Sequence, residues 1–486
     1  MSKNTFLNFR DLQILELSDI MQQVLKNKIF KNLSELKILG IRLHSLIQIE
    51  AGAFIGIQRC QNLTISGSQI KDLDSKLFYN LTKVVNLDLS HNKINVLEND
   101  LFSSMTSLQV LDTRGNDIYI LGRIFENNIN LKLIYGDTFA LCCVKPRQMS
   151  DDRCITPKFD LSNCENLIEN NILRVSLWVI GIVAVFGNMS VLIYRIKDKR
   201  GLYQDTFSVL VGNLTVADTL ISVYLISIGI IDVEFRGEYI WREYKWRNSK
   251  LCSVLGIISV LSSEVSVLTI SFITIARYLA VKFPFKEHRI TRKDAVSGSV
   301  IIWMISFFIA LIPYFMFEKY YSASGVCVSL PLRKDKTDGW IYSFLIFVIF
   351  NFLIFLFIAI AQIPIVYHVK KISSIVEGSG KMKHIDVAKR LSLVVATDCF
   401  CWIPIGTMGR EGLMAIFGYD MKRTIYAWTV VFVLPVNSAI NPFLYTFIDL
   451  QLKCVSKIES KRCFYVITII FEKKEEYEIG SNLHYR

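Results

Sequence analysis

The chain has 486 residues, 52% of them hydrophobic and only 20% charged. A soluble domain carries about 25% charged residues, so this balance excludes a disordered chain, argues against a soluble enzyme and points to membrane spans. The formal net charge of +12, from 55 Lys and Arg against 43 Asp and Glu, suits a nucleic-acid binder or a membrane protein with basic cytoplasmic loops. The placement of the apolar residues decides between them.

Met1–Ile20 lacks the apolar stretch of a signal peptide. Export of the polar segment that follows therefore leads us to expect that the true start lies upstream. Within residues 1–141 the pattern L-x-x-L-x-L-x-x-N-x-L recurs every 24 residues, starting at Leu12, Leu36, Cys60, Val84 and Leu108, with a degenerate copy at Leu131. The clearest copy runs from Val84 through Leu87, Leu89 and Asn92 to Ile94. Phe30, Phe54, Phe78 and Phe102 each fall 18 residues into a unit, and Phe125 falls one residue early. This is the leucine-rich repeat, in which each unit lays down one short strand and stacks its apolar residues on the next. An amphipathic helical array would not explain the fixed Phe and Asn offsets. Asn92 and Asn116 occupy the position where an amide satisfies buried backbone groups, and Ile20, His44 and Ser68 stand there in other units.

A repeat stack presents a broad, shallow concave face suited to protein or peptide. Its outward strand positions include Glu16, Asp88 and Asp112, with Arg42 and Arg114. Asp88 and Asp112 stand at equivalent positions of adjacent units, a short acidic column expected to take a basic peptide side chain. Sequons at Asn32, Asn62 and Asn80 fit an extracellular domain. Asn62 falls on the concave strand, where a glycan would limit access. The sequons at Asn188 and Asn213 fall inside apolar blocks and cannot be used.

Residues 142–170 form a short cysteine-rich hinge. Cys142, Cys143, Cys154 and Cys164 read as two disulfides closing the end of the repeat core. The pairing is left open, except that the adjacent Cys142 and Cys143 are poorly placed to join each other. Cys60 takes a core leucine position, as a buried inert thiol.

From Ile172 onward the chain becomes a series of apolar blocks, each long enough for the roughly 20 residues a span needs. They are Ile172–Tyr194, Phe207–Ile231, Leu251–Val281, Ala295–Phe317, Trp340–Val369, Val387–Phe417 and Tyr426–Phe447. Residues 171–450 are thus a seven-helix bundle, and 451–486 a tail. The fold class is a multi-domain membrane protein, an α/β repeat solenoid followed by an all-α bundle of seven transmembrane helices. The first, third and fifth connections carry the larger excess of Lys and Arg, which places them and the tail inside the cell and the repeats outside. Cys252 and Cys327 then both lie outside and are expected to form a disulfide. Cys454 and Cys463 lie inside among basic residues and are candidates for palmitoylation.

Ionisable groups inside a bilayer cost about 2.5–3.5 kcal/mol on insertion scales and are usually functional. Asp218, Glu264 and Asp398 lie mid-span, with Asn188 in the first block and Asn437, Ser438 and Asn441 in the last. A buried carboxylate among amides and hydroxyls can hold a cation or a proton. Arg277 follows Cys252 by 25 residues, about 37 Å of helix, so the two mark opposite ends of the third span. Pro404 and Pro442 each remove a helix hydrogen bond and bend the last two spans. Bent helices beside a polar cluster give a bundle two ways to pack.

These residues make the chain resemble a rhodopsin-type G-protein-coupled receptor. The matching motifs are Gly187-Asn188, Leu214–Asp218, Trp303, Cys401-Trp402-Ile403-Pro404 and Asn441-Pro442-Phe443-Leu444-Tyr445. The repeats and hinge narrow the resemblance to relaxin-family peptide receptors. The stretches that carry it are Asn171–Ile180, Arg236–Tyr239, Glu264–Leu268, Phe283–Phe285, Asp398–Pro404 and Leu434–Pro442. The resemblance implies a plasma-membrane receptor that binds a relaxin- or insulin-like peptide hormone and activates a heterotrimeric G protein, signalling by cyclic AMP. No nucleophile–base set, phosphate loop or metal-ligand spacing in the sequence supports enzyme activity, and no nucleic-acid partner is expected. The resemblance further implies that Asn188, Asp218, Ser438 and Asn441 form a polar core linked to a sodium ion. Trp402 and Pro404 would form a hinge, and Arg277 and Tyr278 would meet the G protein. Tyr445 would swing on activation, and Asp398 with Asn437 or Asn441 would latch the inactive state.

Three features depart from the family pattern. Ala276 stands where an acid usually precedes Arg277. No cysteine-rich low-density-lipoprotein module is present in the sequence. The repeats are few and begin without a cap. A truncated start would account for the N-terminal losses together. A glycoprotein-hormone-type receptor is the close rival, which the short hinge disfavours. A nonsignalling peptide-binding or adhesion protein does not explain the switch residues. A transporter would need internal repeats among the spans, and none is seen.

Overall fold

The computed structural model describes residues 5–6, 8–157, 161–197, 206–283, 290–318, 320–328, 339–375, 428, 431–432 and 434–443. The repeat region contributes strands β1 (Ile14–Ser18), β2 (Val24–Leu25), β3 (Ile38–Arg42), β4 (Gln48–Ile49), β5 (Asn62–Ile65), β6 (Asn86–Asp88), β7 (Val96–Glu98), β8 (Val110–Asp112), β9 (Tyr119–Leu121) and β10 (Leu133–Tyr135). A short helix α1 (Ala140–Cys143) and strand β11 (Cys154–Ile155) close it. A seven-stranded parallel sheet runs β1-β3-β5-β6-β8-β10-β11, while β2–β4 and β7–β9 form two small parallel ladders. The register advances by one repeat per strand, Ile14 opposite Ile38, Ile38 opposite Asn62 and Asn62 opposite Asn86. The period read from the sequence is therefore the pairing register itself.

The apolar positions of each unit point to one side of the strand and pack on their equivalents. Leu39, Leu63, Leu87, Leu111 and Ile134 are each at most 1% exposed. The phenylalanines stack along the solenoid with centroids 5.8 to 6.2 Å apart, from Phe30 to Phe125. Phe6 begins the stack, 5.7 Å from Phe30. Its signal was in the sequence, one period before Phe30. Asn92 Nδ2 donates to the carbonyls of Ile65 (2.7 Å) and Leu89 (2.8 Å), and Asn116 Nδ2 to those of Leu89 (2.9 Å) and Thr113 (3.0 Å). Each asparagine thus ties two neighbouring coils, as expected of that position. Cys60 is fully buried, and burial pushes its thiol up to about 11.

Two disulfides resolve the hinge pairing: Cys142 with Cys154, and Cys143 with Cys164. The first fixes β11 as the end strand of the sheet. The second leads directly into the bundle. The carbonyl of Cys164 accepts from Ile240 N–H at 3.2 Å, and that of Glu165 from Gly237 N–H at 2.7 Å. Asp232, fully buried, accepts from Ile168 N–H (2.9 Å) and from Arg174 Nε (2.7 Å). The hinge is thereby pinned to the start of the first span and the end of the second, where they meet the repeats.

The bundle contains α2 (Asn171–Lys197), α3 (Thr206–Glu234), α4 (Tyr239–Arg247), α5 (Lys250–Lys282), α6 (Arg292–Met316), α7 (Trp340–Ser343), α8 (Asn351–Ile375) and α9 (Leu434–Pro442). Local sequence sets several starts. Asn170 caps α2, Ser249 caps α5, and Thr291 with Asp294 forms a capping box on α6. Among the described residues, α2, α3, α5, α6 and the segment from α7 into α8 are long and apolar enough to cross a membrane. In the fifth span, residues Phe344–Phe350 between α7 and α8 wind as π-helix, a wider turn often found at functional sites. The sixth block, Val387–Phe417, lies outside the described residues. Of the seventh, α9 and a few residues before it are described.

Helix α4 is the main departure from the sequence reading, which treats that connection as a polar loop. Tyr239, Ile240, Glu243 and Trp246 fall on one helical face and are buried. Ile240 packs into the repeat core, and Tyr244 stacks on Tyr119 of β9 at 5.0 Å. On its other side Trp246 Nε1 donates to the carbonyl of Gly325 at 2.7 Å. Arg247 pairs with Glu243, and its Nε donates to the carbonyl of Ser322 at 2.6 Å. The expected Cys252–Cys327 disulfide ties the same loop to α5. Its residues Tyr320, Tyr321, Val326, Cys327 and Val328 are buried over the bundle.

Candidate functional site

The polar residues singled out in the spans converge on Asp218, which is fully buried in α3. Ser438 Oγ donates to its Oδ1 at 2.8 Å, and Asn441 Nδ2 donates to its Oδ2 at 2.8 Å. Asn188 Nδ2 donates to the carbonyl of Ser438 at 3.0 Å and to that of Ala184 at 2.9 Å. Ser266 of α5 completes the set, its Oγ 3.3 Å from Asp218 Oδ1. The sequence reading missed Ser266, because α5 also carries Ser259, Ser262, Ser263 and Ser271 and nothing local marks one of them. One carboxylate thus joins α3, α5 and α9, and Asn188 adds α2. Such charge-assisted bonds in low dielectric are among the stronger ones available to a bundle.

Close helix approach makes this possible. A Cβ on Gly187 would stand 3.1 Å from Pro442 Cγ, so the glycine lets α9 lie against α2. Next to the carboxylate is a cavity of about 10 Å³, lined by Asn188, Thr215, Asp218, Asn441 and Pro442 among others. That is roughly the room one water needs. Asn441 Oδ1 is buried and has no partner among the described residues. Carboxylate, two hydroxyl oxygens and an amide oxygen are the hard donors a sodium or similar cation prefers.

The other predicted residues fall elsewhere. Asn437 does not join the Asp218 cluster, and its Oδ1 is buried without a partner among the described residues. Asp398, Trp402, Pro404 and Tyr445 lie outside the described residues. Glu264 is fully buried, away from Asp218, and its Oε1 accepts from Asn351 Nδ2 at 3.1 Å, linking the third and fifth spans. Arg277 lies toward the end of α5 remote from Cys252, its guanidinium 5.6 Å from the centre of the Phe207 ring. Tyr278 accepts a hydrogen bond from Lys282 Nζ at 2.8 Å. Trp303 Nε1 donates to Asn213 Oδ1 at 3.0 Å, joining α6 to α3.

On the concave face, Asp88 and Asp112 are register partners, as the repeat predicts. Glu16 is exposed, but Gly40 and Thr64 separate it from the two aspartates, so it stands apart from the column. Asp112 is not open. Arg114 Nε lies 3.0 and 3.1 Å from its two oxygens, and Nη2 lies 2.5 Å from Oδ2. Burial works against ionisation of Asp112, yet the hydrogen bonds and charge of Arg114 hold its carboxyl below the usual carboxylate range. Arg114 is not on a strand, as the sequence reading had it, but lies two residues past the end of β8, where its side chain turns back onto Asp112, a consequence the acidic-column reading had not drawn. Asn80 is exposed and Asn32 half-buried, both in turns following the stacked phenylalanines, whereas Asn62 lies in β5 and its Oδ1 accepts from Asn86 Nδ2 at 2.8 Å.

Known proteins share both halves of this architecture. The family described as 7 transmembrane receptor (rhodopsin family) matches residues 187–445, and the leucine-rich repeat family matches residues 58–118. The chain is 36% identical over 327 residues to the G-protein coupled receptor GRL101 of Lymnaea stagnalis, covering 67% of this chain and 29% of that protein. It is 34% identical over 337 residues to relaxin receptor 2 of Canis lupus familiaris, covering 67% of this chain and 44% of the relative. With relaxin receptor 1 of Mus musculus it shares 34% over 328 residues, 65% of this chain and 42% of the relative. The chain thus spans less than half the length of each of these relatives.

Proposed function

The chain belongs to the rhodopsin family of seven-transmembrane receptors, and from that membership we propose that it is a plasma-membrane receptor whose repeats, outside the cell, bind a relaxin- or insulin-like peptide hormone and whose bundle activates a heterotrimeric G protein inside, raising cyclic AMP. The observation that carries the reading is the continuity from the repeats to the bundle. Ile240 packs in the repeat core and Tyr244 stacks on Tyr119, while the same helix holds the loop that Cys252 and Cys327 tie to α5. A ligand that repositions the repeats would load the extracellular ends of the spans directly. At the other end, Arg277 and Tyr278 are the residues for the G-protein contact.

Asp218 is the centre of the switch in this reading. Asp218, Ser266, Ser438 and the amide oxygen of Asn441 would hold a sodium ion, which would neutralise the carboxylate and favour one packing of α3, α5 and α9. Asn437 and Asp398 would act beside it as the latch, and Trp402, Pro404 and Tyr445 as the moving parts. Asn32 and Asn80 would carry glycans on turns outside the concave strands, and Asn62 would carry one only at the cost of ligand access.

The test is cyclic AMP in cells expressing this chain behind an export signal, with surface level measured and relaxin-like peptides added. A peptide-dependent rise is expected. Binding without any response, at full surface level and with any G protein supplied, would instead make the chain a nonsignalling binder. No binding at full surface level would refute the ligand assignment.

A further inference from the structure

The acidic column of the concave face is half filled by the protein itself. Arg114, two residues past the end of β8, reaches back and engages both oxygens of Asp112, whose Oδ1 also accepts from the Arg114 backbone N–H at 3.1 Å. The Asp112 side chain is only 16% exposed, while that of Arg114 is 54% exposed. The guanidinium lies 4.8 Å from the centre of the Tyr135 ring, the register partner of Asp112 on the next strand. This is the arrangement a bound peptide arginine would adopt: a fork on a carboxylate with an aromatic face beside it.

The two neighbouring acids are differently placed. Asp88, one strand back in register with Asp112, accepts only the Ser90 backbone N–H at 2.9 Å and forms no ion pair among the described residues. Asp137, one repeat forward at the position equivalent to Arg114, is exposed and accepts from the Gly115 backbone N–H. Asp137 is close enough for its charge to act on Arg114. A displaced Arg114 therefore has a second carboxylate to turn toward, and a cation arriving from solvent would find Asp88 and Asp112 side by side.

We propose that Arg114 is an internal surrogate for the ligand's basic side chain, a specificity-setting residue that an incoming arginine must displace from Asp112. The proposal rests on the peptide-receptor reading above. Its consequence is selective. A single point charge gains little by exchanging with Arg114, whereas a guanidinium that reaches Asp88 and Asp112 together gains a second carboxylate. The internal pair therefore screens the face against simple cations and favours ligands with an arginine at that point.

The experiment uses the full chain on cells and one labelled two-chain relaxin-like peptide, together with the same peptide carrying citrulline in place of each arginine. Citrulline keeps the shape and removes the charge. Arg114→Ala is expected to tighten binding of the arginine peptide about two- to fivefold, the scale of one partly exposed ion pair, and to leave the citrulline peptide unchanged. Arg114→Gln should do the same at wild-type surface level, which guards against a folding defect in the alanine variant. Asp112→Asn is expected to weaken the arginine peptide and to abolish the gain from Arg114→Ala. If the wild type binds and Asp112→Asn weakens it but Arg114→Ala gives no gain or a loss, the surrogate role is overturned while the receptor reading survives. If Asp88→Asn and Asp112→Asn both leave binding intact, the column is not the ligand site and the surrogate role falls with it. Absence of binding to every variant removes the reading and the inference together.

Discussion

Replacing Asp218 by alanine and by asparagine should give very different receptors. Asp218 accepts from Ser438 and Asn441 at 2.8 Å each and from Ser266 at 3.3 Å, in a fully buried setting. Alanine would strand three donors in low dielectric and enlarge the neighbouring cavity of about 10 Å³. A buried donor left unmade costs about 1–3 kcal/mol; allowing the long Ser266 contact little weight, the two short ones sum to about 2–6 kcal/mol. Asparagine keeps the shape and still accepts from the serines. Its amide would face the Asn441 amide donor, but Asn441 Oδ1 is unpartnered among the described residues, so a flip of the Asn441 amide restores a donor–acceptor pair. The remaining loss is the difference between charged and neutral hydrogen bonds, about 1 kcal/mol. Thermal unfolding of the purified receptor in lipid nanodiscs, followed by tryptophan fluorescence, reads the difference. Asp218→Ala should melt about 5 °C or more below wild type, with Asp218→Asn between them. Equal melting of alanine and wild type, or an asparagine variant less stable than the alanine one, would show that the carboxylate does not organise these helices.

Four further outcomes are expected. Phe78, fully buried and stacked 6.1 Å from Phe54 and 6.2 Å from Phe102, should cost about 3–5 kcal/mol as Phe78→Ala, seen as faster limited proteolysis within the repeats and lower surface display. Gly187→Val should separate α2 from α9, because even a Cβ would stand 3.1 Å from Pro442 Cγ, and its signature is a lowered melting temperature that Gly187→Ala shows to a smaller degree. Raising sodium at constant ionic strength should raise the melting temperature of the wild type and leave Asp218→Asn unmoved, and equal shifts in both would remove the ion from the polar core. The depressed Asp112 carboxyl means that its pair with Arg114 is complete at neutral pH and its stabilisation is lost only as pH falls through the folded-state value. Peptide binding that changes between pH 7 and 6 would therefore have to arise elsewhere than at Asp112.

Much of this molecule is legible without coordinates because its patterns are local. The 24-residue period sets the strand register, so Asp88 and Asp112 had to be neighbours once the repeat was seen. The phenylalanine offset sets the stacked spine, and apolar length sets the spans. Asp218 with Asn188, Ser438 and Asn441 was visible as polar residues where polar residues are costly.

What the tertiary structure alone decided are the meetings that depend on how separate elements turn toward each other. The four hinge cysteines admit more than one pairing until the end strand β11 docks on β10 and brings Cys154 beside Cys142. Ser266 joins Asp218 only through the rotation of α5 against α3, and no spacing along the chain encodes that rotation. Helix α4 reads as a polar loop because its nine residues hold four that are buried and five that face solvent or the domain joint, a face too short to stand out from composition. Arg114 was named as one more exposed base, and its capture of Asp112 follows from the chain leaving β8 in a course that lets the guanidinium turn back over Asp112 and Tyr135. Periodicity fixes which residues share a face, but the choice of partner on that face is made by side-chain reach, charge and burial in three dimensions.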